Sequence, residues 1–108
     1  WYQLIAAMKG ASRFLHLAWL DHCPNVVVDA RAAGCHVICS SSGGTEEIAG
    51  PQSTVIEEDD WDLSPTALYK PPVMDFSRSR PGLDYGSNID INVVSANYLE
   101  IIKEMVKI

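Results

Sequence analysis

The chain has 108 residues, of which 47% are hydrophobic, 8% aromatic and 20% charged, with 14 acidic against 8 basic side chains. That length holds one small domain at most, and the apolar fraction excludes a chain that stays disordered for want of a core. A formal charge of −6 argues against a nucleic-acid binder, because phosphate backbones are held largely by clustered Lys and Arg. Residues 1–50 carry 3 bases and 4 acids, and residues 51–108 carry 5 bases and 10 acids. No run of about 18 apolar residues is present, so no segment reads as a bilayer-spanning helix.

The chain opens on Trp1-Tyr2-Gln3, without an initiator Met or a signal-peptide layout. Opening in mid-helix, it reads as a piece of a longer protein. Leu4, Ile5, Ala7 and Met8 recur at helical spacing, and Gly10 is placed to end that helix. Residues 13–18 (Arg-Phe-Leu-His-Leu-Ala) form a short, mostly apolar run that predicts a strand. A loop from Trp19 to Cys23 follows. Pro24 suits the first turn of a helix, where its missing N–H is no loss. Residues 25–33 predict that helix, closed by Gly34. Its Val26-Val27-Val28 run has weak helix propensity, so burial against a sheet must supply the stability.

Residues 36–40 predict a second strand, leading into Ser41-Ser42-Gly43-Gly44. Thr45 is placed as N-cap of a short helix through Ala49, ended by Gly50 and Pro51. Residues 53–56 predict a third strand. Short strands alternating with helices imply an α/β fold with a parallel sheet covered on both sides, half of a doubly wound, Rossmann-like arrangement. Residues 1–70 are assigned to this part. Glu57-Glu58-Asp59-Asp60 with Asp62 reads as a solvated acidic turn. Residues 71–88, with Pro71, Pro72, Pro81 and the polar run Ser77-Arg78-Ser79-Arg80, predict a long surface loop. Residues 89–108 predict a C-terminal helix packing back on the domain through Val94, Tyr98, Ile101, Ile102 and Met105.

Three cysteines (Cys23, Cys35, Cys39) are an odd number and a poor disulfide framework, so they read as reduced thiols. Cys35, His36 and Cys39 do not read as a metal site, because neighbours on a strand point to opposite faces and three ligands cannot converge. No metal is expected. In an open parallel α/β sheet, ligands bind beyond the carboxyl ends of the strands. Two loops lie there: Trp19-Leu20-Asp21-His22-Cys23 and Ser40-Ser41-Ser42-Gly43-Gly44. Each feeds a helix N-terminus, whose free N–H groups and dipole favour an anion such as a pyrophosphate. The plainer alternative makes both loops simple turns.

Asp21 and Asp29 sharpen the choice. Asn25 and Asp29, four apart, share a helix face. A carboxylate among Val26, Val27, Val28 and Ala30 must find a partner or reach an open cleft. A ribose offers it two vicinal hydroxyls; the alternative is an ion pair with Arg31 or Arg13. His16 reads as a satisfied core or edge histidine, and Trp19 and Trp61 read as packing anchors.

Residues 21–35, two acids separated by seven residues and followed by small residues and Gly34, resemble the acidic donor-binding motif of retaining GT-B glycosyltransferases of the group 1 type. Val37-Ile38-Cys39-Ser40 and Gly43-Gly44-Thr45-Glu46-Glu47-Ile48 are similar to the strand and glycine turn that come next in that family. The likeness covers residues 1–56, with Asp standing at both acid positions where Glu is commoner. A looser likeness to the family's C-terminal helix falls on Asn97-Tyr98-Leu99-Glu100. The resemblance implies a hexosyltransferase that moves a sugar from a UDP- or GDP-sugar to a hydroxyl acceptor, a glycan or lipid-linked sugar. It implies contact of Asp21 with the donor sugar and of Asp29 with the nucleotide ribose. The backbone of Cys23, Pro24, Asn25 and Val26 would approach the diphosphate. Glu47 matches the acid after the glycine turn and reads as structural.

The resemblance further implies an acceptor domain preceding this part, so the chain alone would be an incomplete, inactive fragment. No cofactor and no metal are implied beyond the nucleotide sugar, and the setting would be cytoplasmic, with peripheral membrane association left open. Two rival readings remain: a non-catalytic α/β interaction module, and a GT-B-like nucleotide-sugar epimerase.

Overall fold

A computed structural model of the protein describes residues 1–18, 20–58, 65, 69 and 75–107. The expectations placed on Trp19, Trp61, Pro71, Pro72 and the acids at 59, 60 and 62 lie outside the described residues. Three helix–strand pairs begin the chain: helix α1 (Tyr2–Gly10), strand β1 (Arg13–His16), helix α2 (Asn25–Ala32), strand β2 (His36–Ser40), helix α3 (Thr45–Ala49) and strand β3 (Thr54–Ile56). A single 3-10 turn (Phe76–Arg78), strand β4 (Ser79–Pro81) and helix α4 (Ile91–Val106) complete it. The sheet runs in the order β1-β2-β3-β4. The first three strands are parallel, with Phe14 opposite Val37 and Cys39 opposite Val55, whereas β4 is antiparallel to β3.

Gly34 closes α2 as its position predicts. At φ +90° it lets the Cys35 N–H reach the Ala30 carbonyl at 3.0 Å and its own N–H reach that of Arg31 at 3.1 Å, the double bond pattern of a Schellman cap. Val27 and Ala30, three apart, are the buried residues of α2. Its weak propensity is therefore offset by packing on Val37, Cys39 and Val55, together with Met8 of α1 and Ala49 of α3.

Those contacts place all three helices on one face of the sheet. The other face presents Arg13 and His36, both exposed, with Ile38 and Thr54 half-buried and Leu15 56% exposed. There His36 Nε2 meets Thr54 Oγ1 at 2.8 Å across the strands. Toward the carboxyl ends of the strands this second face is covered, since Ser40 and Ile56 on it are buried; among the described residues helices α1 to α3 lie on the first face. Short strands alternating with helices specify a parallel sheet, but each crossover only has to pack somewhere on it, and here all choose the same side.

Two further corrections concern the second half. Within the expected loop 71–88, residues 79–81 form a strand, held by Arg80 (below). The C-terminal helix is present, with Asp90 as its N-cap accepting from the Asn92 N–H at 2.9 Å, but none of its residues is buried. Tyr98, Ile101, Ile102 and Met105 of the expected stripe are all more than half exposed. The radius of gyration, 16.6 Å, exceeds the value of about 13 Å for a compact chain of this length. Among the described residues, no helix is long and apolar enough to cross a membrane.

Candidate functional site

The carboxyl ends of β1 and β2 bring the two loops expected to carry chemistry into direct contact. Gly44 donates its N–H to the Asp21 carbonyl at 2.9 Å. A Cβ on Gly44 would stand 2.1 Å from the His22 carbonyl oxygen, and one on Gly43 would stand 2.5 Å from that of Asp21. Gly43 also sits at φ +68°, where a side chain is strained. The glycine pair is therefore the mould of the Asp21-His22 backbone. Gly44→Ala should destabilise the protein by about 1–3 kcal/mol through overpacking, read as a lowered melting temperature. An unchanged melting curve would show that the loops separate freely.

Serine hydroxyls complete the joint. Ser42 Oγ accepts from the Leu20 N–H at 3.2 Å and shares a hydrogen bond with Ser40 Oγ at 2.8 Å. Ser40 Oγ in turn donates to the Ala18 carbonyl at 3.4 Å. Leu20 takes a left-handed φ of +56°, a conformation uncommon for a leucine and fixed here by this bond and its neighbours. Of the expected α3 cap, the structure keeps the place and changes the residue. Gly44 is the N-cap without a side-chain bond, and Thr45 is the first helical residue, wholly buried with its Oγ1 unpartnered.

Asp21 Oδ1 accepts from the Cys23 N–H at 3.3 Å, and Asp21 Oδ2 lies 3.3 Å from His16 Nε2. This His16–Asp21 pair was not expected. The residues are five apart across a loop, and no local spacing rule joins them. Cys23 and Asn25 are exposed, Val26 is half-buried and Pro24 is buried. Pro24 is the N-cap of α2 and no side chain caps that helix. Its first turn closes with the Val27 N–H on the Pro24 carbonyl at 3.0 Å, which leaves the preceding N–H groups of Asn25 and Val26 toward a ligand or water.

Asp29 is half-buried, and among the described residues its carboxylate has no hydrogen-bond or ion-pair partner. Arg31 turns elsewhere, to the Ile48 carbonyl at 3.0 Å and Ser87 Oγ at 3.1 Å, and its guanidinium lies over Gly50, where a Cβ would clash with it. The ion pair weighed for Asp29 is accordingly not formed with Arg31.

A second charged cluster clamps the far edge of the sheet. Glu46, 7% exposed, receives both Arg80 Nη1 and Nη2, at 2.7 and 2.9 Å. Arg80 Nε bonds Glu57, and the Tyr85 hydroxyl donates to Glu46 at 3.2 Å. Hydrogen bonds to the two carboxylates, Glu46 foremost, push the Arg80 guanidinium further up. Burial, and then the Glu46 charge, raise the Tyr85 hydroxyl. The structural acid after the glycine turn is Glu46; Glu47, to which that role was assigned, is exposed. Of the expected acidic turn, Glu57 is not simply solvated but engaged by Arg80.

Burial, with Glu46 adding to it and Arg80 opposing, pushes the Cys39 thiol up to about 11. Its ordinary value is 9.0, so the unfolded chain ionises first. Stability from this group is complete below pH 9 and is lost as pH rises toward 11. At pH 8 an aromatic disulfide reagent should modify exposed Cys23 in the native protein and spare buried Cys35 and Cys39. Rapid modification of all three would contradict this core.

Among the described residues, no three or more His, Cys, Asp or Glu side chains gather as they would around a metal ion. A cavity of about 400 Å³ lies at the opposite, amino end of β2 and β3, lined in part by Arg31, Cys35, His36 and Ser53. Comparison with protein families, with curated proteins and with solved structures finds no match for this chain.

Proposed function

We propose that this chain is the donor-binding portion of a retaining glycosyltransferase, one half of a doubly wound GT-B domain. It would bind a nucleoside diphosphate sugar whose hexose passes to a hydroxyl of a glycan or lipid-linked acceptor, in a longer cytoplasmic protein with an acceptor domain. The observation that carries this reading is the glycine mould. Gly43 and Gly44 press on the Asp21-His22 backbone with no room for a Cβ, directly before an uncapped helix N-terminus. The resemblance of residues 21–48 to the family's acidic motif, strand and glycine turn adds the chemical class.

In this reading the diphosphate lies at the N-terminus of α2, where the N–H groups of Asn25 and Val26 and the helix dipole favour negative charge. Cys23 adds its backbone and Pro24 shapes the approach without a donor. Asp29, without a partner among the described residues, accepts from the two ribose hydroxyls. Asp21 accepts from a hydroxyl of the donor sugar. As the bond to the sugar breaks, charge grows on the diphosphate, and donors already aimed at it stabilise the transition state more than the ground state.

UDP or GDP at millimolar concentration is expected to raise the melting temperature of the full-length protein and to slow alkylation of Cys23, which lies beside the proposed diphosphate. If no nucleoside diphosphate does either, the reading fails. A second reading, a non-catalytic interaction module, is favoured by the exposed apolar face of α4. It predicts no nucleotide effect and self-association or partner binding that ends when Ile101 and Ile102 are replaced by polar residues.

A further inference from the structure

We infer that His16 is a positioning residue that holds the Asp21 carboxylate in place for the sugar of a bound nucleoside diphosphate sugar; the inference rests on the reading above. His16 is the last residue of β1 and alternates with Phe14 on the helix-covered face, its side chain only 12% exposed. His16 Nε2 stands 3.3 Å from Asp21 Oδ2; a carboxylate accepts and does not donate, so in this arrangement the ring serves Asp21 with a proton carried on Nε2. The other ring nitrogen, Nδ1, is buried with no partner.

An orphaned ring nitrogen in a buried strand end is a liability that a phenylalanine or leucine would avoid. The imidazole is therefore explained by what its other nitrogen does. It fixes one oxygen of Asp21 while the Cys23 N–H fixes the other at 3.3 Å. Two donors, one from the strand and one from the entry to α2, set the rotation of the carboxylate plane. Each oxygen keeps a free lone pair, and the Asp21 side chain keeps 36% of its surface exposed. A sugar hydroxyl thus meets an acceptor already oriented, without the entropy of ordering a loop side chain at the moment of binding.

The test compares affinities for UDP and UDP-glucose, and for GDP and GDP-mannose, by calorimetry on the full-length protein. His16→Phe keeps the volume and removes the donor; His16→Gln restores an N–H near the position of Nε2. Expected for His16→Phe is a nucleoside diphosphate affinity within about twofold of the wild type. The extra affinity of the sugar nucleotide should fall about tenfold, with recovery in His16→Gln and no further loss in His16→Phe/Asp21→Asn. A merely structural histidine would weaken both ligands alike, and an idle one would change neither; either result overturns the inference while the reading above stands. Should the wild type bind none of the four nucleotides, both fall. Independently of any ligand, imidazole nitrogen shifts by NMR should report protonated Nε2 and bare Nδ1 in His16, changing in Asp21→Asn. A proton on Nδ1 alone would also overturn the inference.

Discussion

Arg80→Met should lower stability by about 3 kcal/mol, the lower end of what breaking a buried ion pair costs, and with it the melting temperature by roughly 10–20 °C. The reason is what it leaves behind. Glu46 is buried, and both its oxygens are held by the Arg80 guanidinium. Without that fork the carboxylate is charged and enclosed, with the Tyr85 hydroxyl as its other hydrogen-bond donor. Glu57 adds little, because its side chain is 37% exposed and solvent screens it. The double variant Glu46→Leu/Arg80→Met removes both charges and should recover most of the loss. If thermal unfolding shows Arg80→Met to be as stable as the wild type, the clamp contributes nothing and β4 is held by its backbone alone.

Asp29→Ala should move stability and ligand affinity in opposite directions. The residue lies inside a helix, half-buried and without a partner among the described residues, so alanine should raise stability by about 0.5 kcal/mol through helix propensity alone. In the proposed complex the same carboxylate accepts from two ribose hydroxyls. Losing two hydrogen bonds to a charged group, each worth about 1.5–3 kcal/mol, should reduce UDP or GDP affinity at least tenfold. Melting curves with and without nucleotide measure both effects in one experiment. A variant that is less stable and binds as before would assign Asp29 to the fold.

The βα half of the chain was legible because its signals are local. Gly34 ends α2 as positioned, and β2 occupies residues 36–40 as expected. β1 is shorter than expected, stopping at His16, because the chain turns toward α2 where Ala18 and Leu20 bond the serines of the neighbouring loop. Strand β4 was not legible. Three residues carry no period, and Ser79-Arg80-Pro81 has the composition of a loop; what makes it a strand is a guanidinium meeting an acid 34 residues away. The position of α4 was invisible for the converse reason. An apolar stripe states that a helix seeks cover and says nothing of where the cover is. At the site, the loops and the glycine turn could be placed from strand order, whereas the His16–Asp21 contact depends on how a five-residue excursion folds back.

The two margins of the sheet are unlike in what they offer a newcomer. Along β4 the last position is Pro81, which has no amide proton to share, and Arg80 ties the strand inward to Glu46. Along β1 the backbone pairs, among the described residues, only with β2, so the outward amides and carbonyls of residues 13–16 remain a ready template. Lateral growth of this sheet is consequently directional. An added strand would be accepted beside Phe14 and Leu15, at the margin adjoining the Asp21 loop, and would bring its own following loop to the same mouth.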